Sequence, residues 1–210
     1  MPQTETLPTT VSDSLPVDAG DPVYRITAED FQRMVDADVL PADRRIYLWD
    51  GVLCEKMAKT QAHAVPQYKL TAILVKRLPA GWFVSAESPV NLDMTKTPLP
   101  DFAVVRGEPD DYRRLPPRGS DTALVIEVMY TSKKKDRETH QRACAAAGVP
   151  AYWVVDFEAR VVWVYSNPDP PDPGYSVQKE VPAGGTLEVL LPGHDPICIV
   201  VDEILARKDA

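Results

Sequence analysis

Apolar residues in this chain follow two rhythms. Short runs rich in β-branched and aromatic residues occur at 82–87, 102–105, 122–130, 151–155 and 160–165, with a weaker one at 89–92. Runs of this length, bounded by turn residues, predict sheet strands. Elsewhere the spacing is helical. Thr27-Ala-Glu-Asp30 reads as a capping box with Asp in the Glu place, followed by Phe31 and Met34, and predicts a helix to about Ala37. Tyr68, Leu70, Ile73, Leu74 and Leu78 recur at helical intervals in 60–78, where Pro66 suggests that the regular helix begins near it. A third helix, capped by Thr131 or Ser132, is expected to run to about Ala147 and end at Gly148. A last one is expected at 201–207. Asp50-Gly51, between 45–49 and 52–57, is the strongest hairpin signal. Residues 106–120 and 167–174 read as loops, and the strands after 174 as short. The order predicts an α/β fold with a mixed central β-sheet flanked by helices.

Residues 1–20, rich in Pro, Thr, Ser and Asp, read as a disordered leader, and 21–210 as one domain. No apolar run is long enough to span a bilayer. Three widely spaced cysteines, Cys54, Cys144 and Cys198, suggest a reducing cytoplasm without a disulfide framework. The formal net charge of -8 disfavours a protein that coats nucleic acid non-specifically. It leaves room for a nuclease, whose carboxylates add negative charge while a local basic patch meets phosphate.

Candidate chemistry lies beside two of the apolar runs. Pro98-Leu-Pro-Asp101-Phe-Ala-Val-Val105 and Ala123-Leu-Val-Ile-Glu127-Val128 each carry a single acid. A carboxylate on a core strand is costly to bury unless it is paired or binds a metal. Asp101 and Glu127 from neighbouring strands are suited to one divalent cation, Mg²⁺ or Mn²⁺, with the Val128 carbonyl as a third oxygen. The bland alternative is that Asp101 caps a turn and Glu127 is satisfied by a nearby Lys or Arg.

Three stretches in order carry a resemblance: Leu48-Trp-Asp-Gly51 with Glu55-Lys-Met57 and His63; Pro100-Asp101-Phe-Ala-Val-Val105; and Val125-Ile-Glu127-Val-Met-Tyr-Thr-Ser132, leading into Asp136-Arg137, Ala147-Gly-Val-Pro150 and Tyr152-Trp-Val-Val-Asp156. Over residues 25 to 170 the chain resembles the Uma-two family, described generally as restriction endonucleases within the PD-(D/E)xK nuclease-like superfamily. The resemblance implies a restriction-endonuclease-like sheet, Mg²⁺-dependent cleavage of DNA and a homodimer. Asp101 matches the Asp of the "PD" element and Glu127 the acid of the second. The lysine that normally follows two residues later falls on Met129, and the lysine of the next helix falls on His140. The Glu before the hairpin turn falls on Tyr47, and that of the usual Glu-Tyr-Trp on Ala151.

Other candidates follow from that alignment. His140, in the lysine's place, reads as a general base, a phosphate contact or a metal ligand, or else as a surface histidine. Glu55 reads as a third carboxylate of the metal site or as a solvent-facing hairpin residue. Lys133, Lys134, Lys135 and Arg137 form a basic cluster that runs against the macrodipole at a helix start, which suits phosphate contact; such a run is also often just a solvated face. The reading is a DNA endonuclease; the competing ones are a catalytically degraded fold that binds nucleic acid or protein, and a dimerisation module.

Overall fold

The computed structural model describes residues 22–57, 61–129, 134–169 and 173–205; the side chains at 61–63 and 134–137 are outside it. The expected leader therefore lies outside the described residues. Helix α1, Ala28–Asp36, starts where the capping box places it. The Thr27 hydroxyl accepts from the Asp30 amide at 3.1 Å, and the Asp30 carboxylate accepts from the Thr27 amide at 3.3 Å. Strands β1 (Ile46–Trp49) and β2 (Val52–Glu55) form the hairpin. Asp50 (φ 49°) and Gly51 (φ 72°) both take the left-handed conformation that a two-residue turn of this kind demands.

A six-stranded mixed sheet follows. Its strands are β3 (Trp82–Ala86), β4 (Phe102–Arg106), β5 (Thr122–Met129), β6 (Ala151–Asp156), β7 (Val161–Asp169) and β8 (Gly174–Pro182), neighbours in that order. Only β5 and β6 run parallel, and α3 (Lys134–Ala146) is the crossover that such a pair requires. Side chains alternate between two cores. Phe102, Val104, Leu124, Ile126, Trp153 and Val155 face α2 (Gln61–Arg77), whose Leu70 and Leu74 are fully buried. This face is closed by β9 (Thr186–Val189), β10 (Ile197–Val200) and α4 (Val201–Ile204). Ala103, Val105, Val125, Tyr152 and Val154 point the other way, toward Cys144 of α3.

Three expectations about elements change. The second helix does not wait for Pro66 but begins at Gln61, with Pro66 inside it. A proline this near the N-terminal end forfeits only the bond to the Ala62 carbonyl. The run at 89–92 forms no strand. Its amides bond to loops instead: Val90 to the Pro98 carbonyl (3.0 Å) and Asn91 to that of Pro117 (2.8 Å). Of the loop expected at 167–174, residues 167–169 belong to β7 and 174 to β8, and 170–172 lie outside the described residues. Pro168 is tolerated in β7 because the ladder to β6 ends at Ser166, and beyond it only β8 is a neighbour. Among the described residues no helix is long and apolar enough to cross a membrane.

Candidate active site

Asp101 immediately precedes β4, and Glu127 lies within β5. The two strands are antiparallel, with Phe102 opposite Ile126 and Ala103 opposite Val125. Continuing that register by one step sets Asp101 opposite Glu127. Both acids project from the face that carries Ala103 and Val125, because alternate residues share a face. Directly opposed side chains start from Cβ atoms roughly 5 Å apart.

Asp101 is 1% exposed. Its Oδ2 accepts the Val128 amide at 2.9 Å, and its Oδ1 accepts the Lys56 ammonium at 2.5 Å. Lys56 Nζ also donates to the Leu99 carbonyl at 2.6 Å and lies 3.7 Å from Glu127 Oε2. Burial alone would push the Lys56 pKa down. The charges of Glu127 and Asp101, with the hydrogen bond to Asp101, more than offset it and hold the pKa above its ordinary value. A protonated lysine thus sits against two carboxylates in a mostly desolvated place. The trio keeps one formal negative charge, with the Arg45 cation close enough to act on Lys56.

Lys56 escaped the sequence reading, which singled out its neighbour Glu55. Successive residues of β2 and its continuation point to opposite sides. Lys56, whose amide bonds to the Arg45 carbonyl at 2.8 Å, shares a side with Trp49, and that side meets the sheet. Glu55 is exposed and pairs with Arg44 at 3.3 Å. It brings no third carboxylate to Asp101 and Glu127. Among the described residues no three His, Cys, Asp or Glu side chains converge on one point. Val128 reaches Asp101 through its amide, as a donor.

His140 packs its ring against Trp49, centroids 4.4 Å apart. With Glu127, Pro100, Cys144 and Tyr152 it lines a cavity of about 10 Å³, at the lower limit for one water. Burial, reinforced by the Glu127 charge, pushes the Cys144 thiol well up, so it stays protonated and is no nucleophile. Lys133 lies outside the described residues, as do the side chains of Lys134, Lys135 and Arg137.

A model of the family Uma2, described as "Putative restriction endonuclease", matches residues 28–194. Among solved structures the chain is similar to one titled a putative nuclease belonging to DUF820 from Anabaena variabilis. The two are 15% identical with a TM-score of 0.60, over 85% of this chain and 97% of that one, a likeness of fold. Among curated proteins nothing matches.

Proposed function

Because the chain belongs to the Uma2 family, we propose that it is a metal-dependent endonuclease that hydrolyses DNA phosphodiester bonds at Asp101 and Glu127. The observation that carries this reading is the pair of carboxylates opposed on one sheet face, with a cationic nitrogen already against both. The donors are hard oxygens, which suits Mg²⁺ or Mn²⁺ with waters completing the shell. When bound there, the ion supplies the Lewis acidity that phosphodiester hydrolysis needs.

The chain's own residues do the rest. The Val128 amide fixes the Asp101 carboxylate, so one oxygen is oriented before any ion arrives. Lys56, and not His140, supplies the fixed positive charge beside the scissile phosphate, where it offsets the negative charge that develops on the phosphoryl oxygens. His140, braced by Trp49, limits the water that reaches Glu127. The protein is proposed to act as a homodimer, since two-fold symmetry sets two sites on two strands, and in the cytoplasm, where cysteines such as Cys54 and Cys198 stay free.

A second reading, a catalytically silent fold that binds nucleic acid or protein, is favoured by one observation: Lys56 fills the position between the carboxylates that an ion would take. Nicking of supercoiled plasmid with Mg²⁺ or Mn²⁺, beside a calorimetric metal titration, separates the two. Wild type is expected to nick and to bind metal. Asp101→Ala is expected to lose metal binding and on the order of a thousandfold in rate, the several kcal/mol of transition-state stabilisation that a metal supplies. Neither nicking nor metal binding by wild type would establish the silent reading.

A further inference from the structure

A cleft of about 630 Å³ opens on the far side of the segment that precedes Asp101. This is the size of a small-molecule site. One wall is the tilted aromatic pair Phe83 and Tyr112, centroids 5.9 Å apart, with the Tyr112 hydroxyl donating to the Arg106 carbonyl at 2.8 Å. The charged lining is Arg44, Arg113 and Arg114 against a single Asp38. That is a local cationic excess in a chain of net charge -8. Arg44 and Arg113 form exposed ion pairs with Glu55 and Asp110, and Arg114 has none among the described residues.

Two observations point from the cleft to a ligand. Thr97, which lines it, is 3% exposed, and its hydroxyl oxygen has no hydrogen-bond partner. A buried hydroxyl without a partner costs free energy, so this wall of the cleft is not fully satisfied among the described residues. Leu99 also lines the cleft, while its carbonyl accepts from the Lys56 ammonium. The cleft and the carboxylate pair are therefore two sides of one segment. Two residues of extended chain from Leu99 to Asp101 span roughly 7 Å, so one bound strand can lie against both.

We propose that this cleft takes an unstacked base of the DNA strand whose phosphate lies at Asp101 and Glu127, an inference that rests on the nuclease reading. The aromatic wall offers the base a stacking face, as in proteins that hold single strands. Stacking on an aromatic face takes every base alike, so sequence preference at this position is weak. Arg113 and Arg114 meet the flanking phosphates.

The test uses the full chain in chelator, without metal, and a single-stranded oligodeoxynucleotide containing 2-aminopurine. The wild type is expected to quench the probe on binding. Tyr112→Leu is expected to lose the quench, and Tyr112→Phe, which keeps the ring, to retain it. Arg113→Ala with Arg114→Ala is expected to weaken binding about tenfold and to reduce the salt slope by roughly 1.4, two phosphate contacts on a single strand. Quench and affinity unchanged in all these variants, or no quench by wild type, would overturn the base cleft. Metal-dependent nicking, measured on the same proteins, reports the nuclease reading separately. Normal nicking without a probe response removes the cleft alone. A cleft-dependent response without nicking upholds the cleft and removes the nuclease.

Discussion

Removing the Lys56 ammonium leaves two carboxylates facing each other at once, one of them almost fully buried. Lys56→Met is expected to lower unfolding stability by about 3 kcal/mol, the lower end for breaking a buried pair because Glu127 keeps some solvent. Urea denaturation measures it, and millimolar Mg²⁺ should restore more stability to the variant than to wild type. The pH dependence follows from direction alone. The folded pKa of Lys56 is held above its unfolded value. Its stabilisation is thus complete below pH about 10.4 and is lost as pH rises through the higher folded value. Burial also raises the pKa of Tyr152 and Tyr175, so both add to the alkaline loss. The difference between wild type and Lys56→Met isolates the lysine: it should shrink above about pH 10.5, and a difference constant to pH 11.5 would refute the pairing. The two acids were legible in the sequence because each was the lone charge in an apolar run, which demands a reason. Lys56 was not, because a two-stranded hairpin with mixed residues on both sides does not announce which side meets the sheet, and a shift of one residue exchanges them.

Among the elements, helix α1 has the most local explanation. Thr27→Ala removes the acceptor for the Asp30 amide and is expected to cost about 1 kcal/mol. Thermal denaturation should show it, with the nuclease assay unchanged. Gly119 is a different case. A Cβ there would stand 2.5 Å from the Ala147 carbonyl oxygen and 2.6 Å from its Cβ. Gly119→Ala should therefore push its turn away from the end of α3 and cost about 2 kcal/mol as overpacking. The Thr27 cap of α1, the Asp50-Gly51 turn and β5 were readable because local chemistry decides them; the α3 cap expected at Thr131 or Ser132 lies outside the described residues. Pro66 and Pro168 misled for a shared reason. Proline's penalty depends on whether a partner waits for its missing N–H, and neighbouring strands and helix ends settle that question, not the tripeptide.

For the whole molecule the dimer is the open quantity. The outer face of α2 presents Tyr68 and Val75, 66% and 65% exposed, one helical face apart by seven residues. A two-fold axis would set such a stripe against its own copy. Sedimentation equilibrium is expected to give a dimer, and Val75→Glu to shift it toward monomer; a monomer at high concentration would refute the assembly. The sheet order, with one parallel pair inside an antiparallel series, was legible only as "mixed". Strand order depends on long-range pairing that no window of sequence contains. The site inherits that property. Residues 56, 101, 127 and 140 come together only once the hairpin, β4, β5 and α3 have docked.

The Val128 amide donates to a carboxylate, not to a strand carbonyl. Its hydrogen-exchange rate is therefore governed by a side chain and stands apart from the protection of neighbours such as Ile126. In a ¹⁵N-labelled sample that single resonance should move when Mg²⁺ titrates Asp101. In Asp101→Ala it should exchange markedly faster, while the Ile126 amide keeps its rate. One amide would then count ions at the centre of the sheet without any nucleic acid in the tube.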